Sequence, residues 1–144
     1  MLELTASVLV EKPAEEVFDL WAQAEKYPDW FPMSLERRPL TEGSVGVGSK
    51  FLAVDKMPPG RRIESTLEIK EFNRPSRMTA NLSAPTNADW EATFEDEGGK
   101  TRMTFTTKAQ LSGLQGLLAP LLKGWANRQL QTGLERFKAE AEQS

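Results

Sequence analysis

The sequence contains no cysteine and no histidine, and only one tyrosine, Tyr27. Without cysteine there is no disulfide, no thiolate nucleophile and no zinc–thiolate site. Without histidine the chain lacks the side chain whose ordinary pKa lies nearest neutrality. Acid–base chemistry would fall to carboxylates, lysines or Tyr27, with pKa values moved by burial. Metal binding is left to scattered carboxylates, and the densest run, Glu95-Asp96-Glu97, falls at a hairpin end where water reaches it. Neither a metal nor a cofactor is expected. Long apolar runs are also missing. Leu117 to Leu122 is broken by Pro120 and falls far short of the roughly 20 residues a membrane span needs, so no integral membrane association is expected. The opening MLELTASVLVEK has no basic leader and carries Glu3, so it does not read as a signal peptide. A soluble, cytoplasmic protein is the expectation. Basic excess is absent too: the net charge is -3. The pairs Arg37–Arg38 and Arg61–Arg62 are too small for a phosphate-binding stripe and read as solvated strand or turn positions, so nucleic acid is not an expected partner.

What is present is alternation. Leu2, Leu4, Ala6, Val8 and Val10 face one way and mostly polar residues the other, which predicts a half-buried strand. Pro13 followed by Glu15 and Glu16 opens a helix whose apolar face is Ala14, Val17, Phe18, Trp21 and Ala24. Tyr27 to Pro32 reads as a break and a second, shorter helical turn. Strands follow at Leu35–Leu40, Lys50–Lys56 and Arg62–Lys70, the last with Ile63, Ser65, Leu67 and Ile69 on one face. Met78, Ala80 and Leu82 continue the pattern, then Trp90, Ala92 and Phe94, then Met103, Phe105, Thr107 and Ala109. Turns are marked by Met57-Pro58-Pro59-Gly60, by Asn73-Arg74-Pro75-Ser76 and by Gly98-Gly99. After Ser112, which opens a capping box with Gln115, the period changes. Leu118, Leu122, Ala126, Leu130, Leu134, Phe137 and Ala141 recur at helical spacing, and Pro120 should bend this helix or split off a short lead-in.

Serial strands joined by tight turns make an antiparallel sheet. The expected fold is α+β, with about seven strands in a curved sheet, two short helices and a long C-terminal helix across the concave face, in one domain over residues 1–144. One helix is too slender to fill such a hollow, so an apolar cavity is expected between helix and sheet. The expected lining is Ile63, Leu67, Met78, Leu82, Trp90, Phe94, Met103 and Phe105 from the sheet, with Leu117, Leu121 and Trp125 from the helix flank, where Leu114 also lies. Ser65 and Thr107 are inward polar positions able to orient a ligand oxygen. For catalysis the only candidates near a cavity mouth are Asp55, Asp89 and Tyr27, each read first as a surface or hydrogen-bonding residue. Gly43 to Lys50 does not make a phosphate loop, because the lysine does not follow the last glycine directly and a strand comes next.

The strand, then Pro13-Ala14-Glu15-Glu16-Val17-Phe18 and Tyr27-Pro28-Asp29-Trp30, then a sheet closed by a long helix, resembles the Bet v 1-like (START-related, SRPBCC) superfamily. Within it the chain looks most like the bacterial polyketide cyclase/dehydrase and lipid-transport group. That resemblance implies a helix-grip fold and ligands such as lipids, sterols, polyketides or plant hormones. Its motifs are structural, so no catalytic residue carries over. The leading reading is a carrier of a small hydrophobic molecule: lipid, polyketide, quinone or isoprenoid-like. A polyketide cyclase or dehydratase is one alternative. The other is a protein-interaction module or translation-directed toxin using Arg37, Arg38, Arg61, Arg62 and the Met57–Gly60 loop, with no protein partner identifiable from the sequence.

Overall fold

The computed structural model describes residues 2–57, 60–83, 87–110 and 116–143. The alternating segments form seven strands: β1 (Leu2–Val10), β2 (Ser34–Pro39), β3 (Lys50–Met57), β4 (Arg61–Asn73), β5 (Arg77–Ser83), β6 (Ala88–Glu97) and β7 (Lys100–Ala109). Every pairing is antiparallel, in the order β1-β7-β6-β5-β4-β3-β2. The first two strands in sequence therefore occupy opposite edges. The chain crosses between them through α1 (Ala14–Trp21), a 3-10 turn (Ala24–Lys26) and α2 (Tyr27–Trp30), and α3 (Ala119–Gln143) covers the concave face. This is the α+β helix-grip arrangement expected from the sequence.

Local chemistry accounts for the element ends. Pro13 stands one position earlier than expected, as the extended N-cap of α1, and its carbonyl accepts from Val17 N at 3.1 Å. Pro120 is the second residue of α3, where a helix has no amide bond to lose, and one helical turn precedes it at residues 116–118. It therefore divides a lead-in from the main helix and does not bend it. The capping box at Ser112–Gln115, Leu114, and the turn prolines Pro58 and Pro59 lie outside the described residues. No helix among the described residues is long and apolar enough to cross a membrane.

The buried seam of α3 is Ala126, Leu130, Gly133, Leu134, Phe137 and Ala141. Leu118 and Leu122, expected to extend it, are 40% exposed and half-buried respectively. Polar clamps hold the far end of the helix. Glu140 accepts from Lys26 Nζ at 2.8 Å and from Trp30 Nε1 at 3.2 Å, and these bonds hold its carboxyl below the usual glutamate value. Glu142 accepts from Glu11 N at 2.9 Å, and Lys138 Nζ donates to Leu9 O at 3.0 Å.

Gly133 permits the closest approach in this packing, since a Cβ there would stand 2.0 Å from Phe31 Cδ1. Alanine favours a helix by about 1 kcal/mol over glycine, but overpacking costs about 1–3 kcal/mol. Gly133→Ala should lower stability by about 1–2 kcal/mol in denaturant melts. In a Phe31→Ala background the same change should become stabilising. A penalty that persists without the Phe31 ring would refute the contact as its cause.

Candidate functional site

The concave face is packed at one end and hollow at the other. At the packed end Phe18 of α1 meets Phe72 and Phe94 edge-on, at centroid distances of 5.0 and 5.2 Å. Leu67, Met78 and Met103 are wholly buried there. Between the ends stands Trp21, its ring 4.7–6.1 Å from those of Tyr27, Trp30, Phe31, Trp90, Phe105 and Phe137. Beyond it the inward residues shrink to Ser65, Ala88, Thr107 and Ala109, and space remains.

That space consists of two adjoining hollows of about 110 and 140 Å³. Both are walled by Leu4, Met33, Asp55, Leu82, Thr107 and Ala126. The first is completed by Trp21, Tyr27, Phe31, Ser34, Arg37, Trp90, Phe105, Gln129 and Leu130. The second adds Leu2, Met57, Ile63, Ser65, Ala88, Ala109 and Trp125. Even together they fall short of the roughly 300 Å³ at which drug-sized pockets begin.

Of the residues expected to line a cavity, Ile63, Leu82, Trp90, Phe105 and Trp125 do so. Leu67, Met78, Phe94 and Met103 face inward but belong to the packed end, where Phe18 and the strand neighbours leave them no free surface. Leu117 and Leu121 are 80% and 75% exposed. At 100° per residue they lie opposite the Ala126–Leu130–Phe137 seam, so burying that seam turns them to solvent. Asp89 is also misplaced for a cavity role. It precedes the inward Trp90, so the strand period sets it on the outer face, where it accepts from Asn81 Nδ2 at 2.9 Å. Tyr27 lines the first hollow, but its hydroxyl donates to Trp21 O at 3.0 Å, and burial pushes its pKa far up. It is a neutral, committed donor. The Thr107 hydroxyl is likewise engaged, donating to Asp89 O at 3.1 Å.

Asp55 does face the cavity, and its partner was not legible as such. Arg37, read as a solvated position, has a side chain only 9% exposed and places Nη1 3.0 Å from Asp55 Oδ1. The cause is a bulge. Ser34 pairs with Asp55 while Glu36 pairs with Val54, so β2 holds one residue more than β3 at this point. The extra residue resets the alternation and carries Arg37 to the inner face beside Ala53, with Ser34 also buried.

The polar end of the first hollow is under-satisfied. Trp21 Nε1, Ser34 Oγ, Arg37 Nε and Asp55 Oδ1 are all buried without a hydrogen-bond partner among the described residues. Arg37 Nη1 stands 3.0 Å from Asp55 Oδ1 as an ion pair and also donates to Glu36 O at 3.0 Å. Burial raises the pKa of Asp55, and the Arg37 charge offsets only part of that rise. These four residues thus place two N–H groups, one hydroxyl and one carboxylate in the wall of an otherwise oily space. Among the described residues no three carboxylates gather to hold a metal ion.

A family model described as polyketide cyclase / dehydrase and lipid transport matches residues 1–142. No curated protein matches the chain in sequence. Among solved structures, a protein from Thermus thermophilus superposes with a TM-score of 0.83 at 17% identity, covering 96% of each chain. Ara h 8.0201 gives 0.72 at 10% identity over 99% of this chain and 98% of its own. The di-domain ARO/CYC BexL from the BE-7585A biosynthetic pathway gives 0.69 at 16% identity, over 99% of this chain and 49% of its own. At these identities the superpositions establish the fold, which is Bet v 1-like.

Replacing Arg37 by methionine should leave Asp55 with an uncompensated burial cost. Its folded pKa then rises further above the unfolded value. The resulting penalty is absent below the unfolded pKa, grows as pH rises and is complete above the folded pKa. Arg37→Met should therefore be destabilising by about 3 kcal/mol at pH 8 and by much less at pH 4.5, with Arg37→Met/Asp55→Asn flattening the difference. Thermal melts at the two pH values check this; a penalty independent of pH would refute it.

Proposed function

The chain belongs to the polyketide cyclase / dehydrase and lipid transport family, and on that premise we propose that it binds one small, largely apolar molecule through a single polar group. The observation that carries this reading is three polar atoms without a hydrogen bond, Trp21 Nε1, Ser34 Oγ and Arg37 Nε, beside the Arg37–Asp55 ion pair, all in residues that line the first hollow. Each buried polar atom left unpaired costs about 1–3 kcal/mol. A ligand oxygen can accept from Arg37 Nε and Trp21 Nε1, and a ligand hydroxyl can donate to Asp55. The hydrocarbon body would then fill the second hollow, against Ile63, Leu82 and Trp125. The small volume favours a compact ring system over a full lipid.

A second reading is supported by one feature, the raised pKa of Asp55. A buried carboxyl that holds a proton closer to neutrality can pass it to a departing hydroxyl and reclaim one from carbon, with Arg37 drawing charge onto a ketone oxygen. Ring closure or dehydration of a polyketide-like substrate fits that chemistry. Binding is the simpler function, because Tyr27 is committed elsewhere and, among the described residues, no other titratable group stands beside Asp55 and Arg37 in the lining.

Trp21, Trp90 and Trp125 line the two hollows, so occupancy is readable in tryptophan fluorescence. Titration with 1-naphthol should give saturable quenching, and naphthalene should bind about tenfold more weakly for want of the polar contact. Leu82→Trp should fill the space and abolish both. Turnover is tested separately, by mass spectrometry of a polyketide substrate incubated with wild type and Asp55→Asn. Equal affinity for naphthol and naphthalene would remove the polar end from the reading, and no saturable binding of either would sink it.

A further inference from the structure

Among the described residues that line the two hollows, only Arg37 and Asp55 carry a charge. Their side chains are 9% and 15% exposed, and Nη1 stands 3.0 Å from Oδ1. The elements around Asp55 leave this balance untouched. From α2 comes Tyr27, neutral and donating to Trp21 O. The inward face of β4 ends in Arg61, which is exposed and lines neither hollow. No other titratable side chain reaches either lining, from the sheet or from α3. The cavity wall is therefore neutral overall, one cation against one anion, while Asp55 is ionised. Arg37 alone would favour the opposite result, because a guanidinium pairs well with carboxylates.

We propose that Asp55 sets the charge class of the ligand: the cavity accepts uncharged molecules such as phenols, ketones and alcohols, and takes an organic carboxylate only together with one proton. This rests on the cavity reading and refines it. A carboxylate ligand would bring a second negative charge against Asp55 in an oily wall, where an unpaired charge is costly to bury. Two carboxyls in one such site do not both stay ionised, so a proton from water is bound between them. Burial raises the pKa of Asp55 before any ligand enters, and a second carboxylate beside it raises the value further. Anion binding is then strongest below the pKa of Asp55 in the empty protein and is lost as pH climbs above it. A neutral ligand needs no such proton. Arg37 is also tied to Glu36 O at 3.0 Å, a bond that does not depend on the charge of Asp55.

The experiment is isothermal titration calorimetry of the full chain with 1-naphthol, 1-naphthamide and 1-naphthoate, the last two alike in shape and different in charge. At pH 8 wild type should bind naphthamide at least about a hundredfold more tightly than naphthoate. From pH 8 to pH 6.5 naphthoate should tighten about tenfold per pH unit, with about one proton taken up per molecule, read from buffers of different ionisation enthalpy. Naphthamide should show neither effect. Asp55→Asn leaves Arg37 unopposed and should bind naphthoate about a hundredfold more tightly than wild type at pH 8, without the pH dependence. Naphthoate that matches naphthamide in wild type at pH 8, or that binds without proton uptake, would overturn the proposal. So would naphthoate that stays unbound at pH 6.5, or a folded Asp55→Asn protein that still prefers naphthamide. If that variant does not fold, the wild-type proton count decides. Each of these results can occur while naphthol binds, which leaves the cavity reading standing. Failure of naphthol and naphthamide alike sinks both.

Discussion

The structure depends on how one indole is surrounded. Trp21 is wholly buried, and six aromatic rings close on it from α2, the segment after it, the sheet and α3. Burying so large a side chain outweighs the cost of about 1–3 kcal/mol for leaving its N–H unpaired. The same ring is a wall of the first hollow. One turn earlier on α1, Phe18 fills the other end of the concave face between Phe72 and Phe94. A two-turn helix thus plugs half the hollow and bounds the rest. The cavity exists where the reach of α1 ends and the inward side chains become small.

The polar end follows from a backbone irregularity. A β2 strand in regular alternation with Ser34 buried would point Arg37 outward, leaving Asp55 alone against apolar neighbours. The bulge brings a cation within ion-pair distance of Asp55. A buried pair of this kind adds little net stability, because desolvation offsets the attraction. Both residues line the first hollow, and Arg37 Nε has no hydrogen-bond partner among the described residues. Good packing alone would have no use for that arrangement, whereas recognition of a polar group on an oily molecule would.

Much of this was legible in the sequence, for physical reasons that also mark where legibility stops. Period two and period 3.6 gave the strands, the helices and the inward faces, because burial writes itself into spacing. Ile63, Leu82, Trp90, Phe105 and Trp125 were found that way. Spacing says which side of a strand faces in, but not whether anything lies opposite, so Leu67, Met78, Phe94 and Met103 were assigned to a cavity when they are packed. The available signal was size: Ser65, Ala88, Thr107 and Ala109 are small inward residues toward one end of the sheet. Helical periodicity marked an apolar flank at Leu117 and Leu121 without saying that burial of the Ala126–Leu130–Phe137 seam turns that flank to solvent. Arg37 was invisible because a single inserted residue reverses every side chain beyond it, and no residue in Ser34-Leu35-Glu36 announces the insertion.

The distribution of restraints along α3 fits this division. Its polar ties to β1 and α2 cluster between Lys138 and Glu142, and its tightest packing is at Gly133 against Phe31. Toward the amino terminus the helix meets the cavity through Trp125, Ala126, Gln129 and Leu130. An unfilled hollow costs about 24 cal/mol per Å³, so spaces of 110 and 140 Å³ each forgo about 3 kcal/mol of packing. Against a total stability of about 5–15 kcal/mol that is a large sacrifice. It is tolerable because the packed end and the clamped half of α3 carry the fold independently of the hollow. A molecule that entered would restore the missing apolar contacts, so the same defect that weakens the empty protein supplies a driving force for filling it.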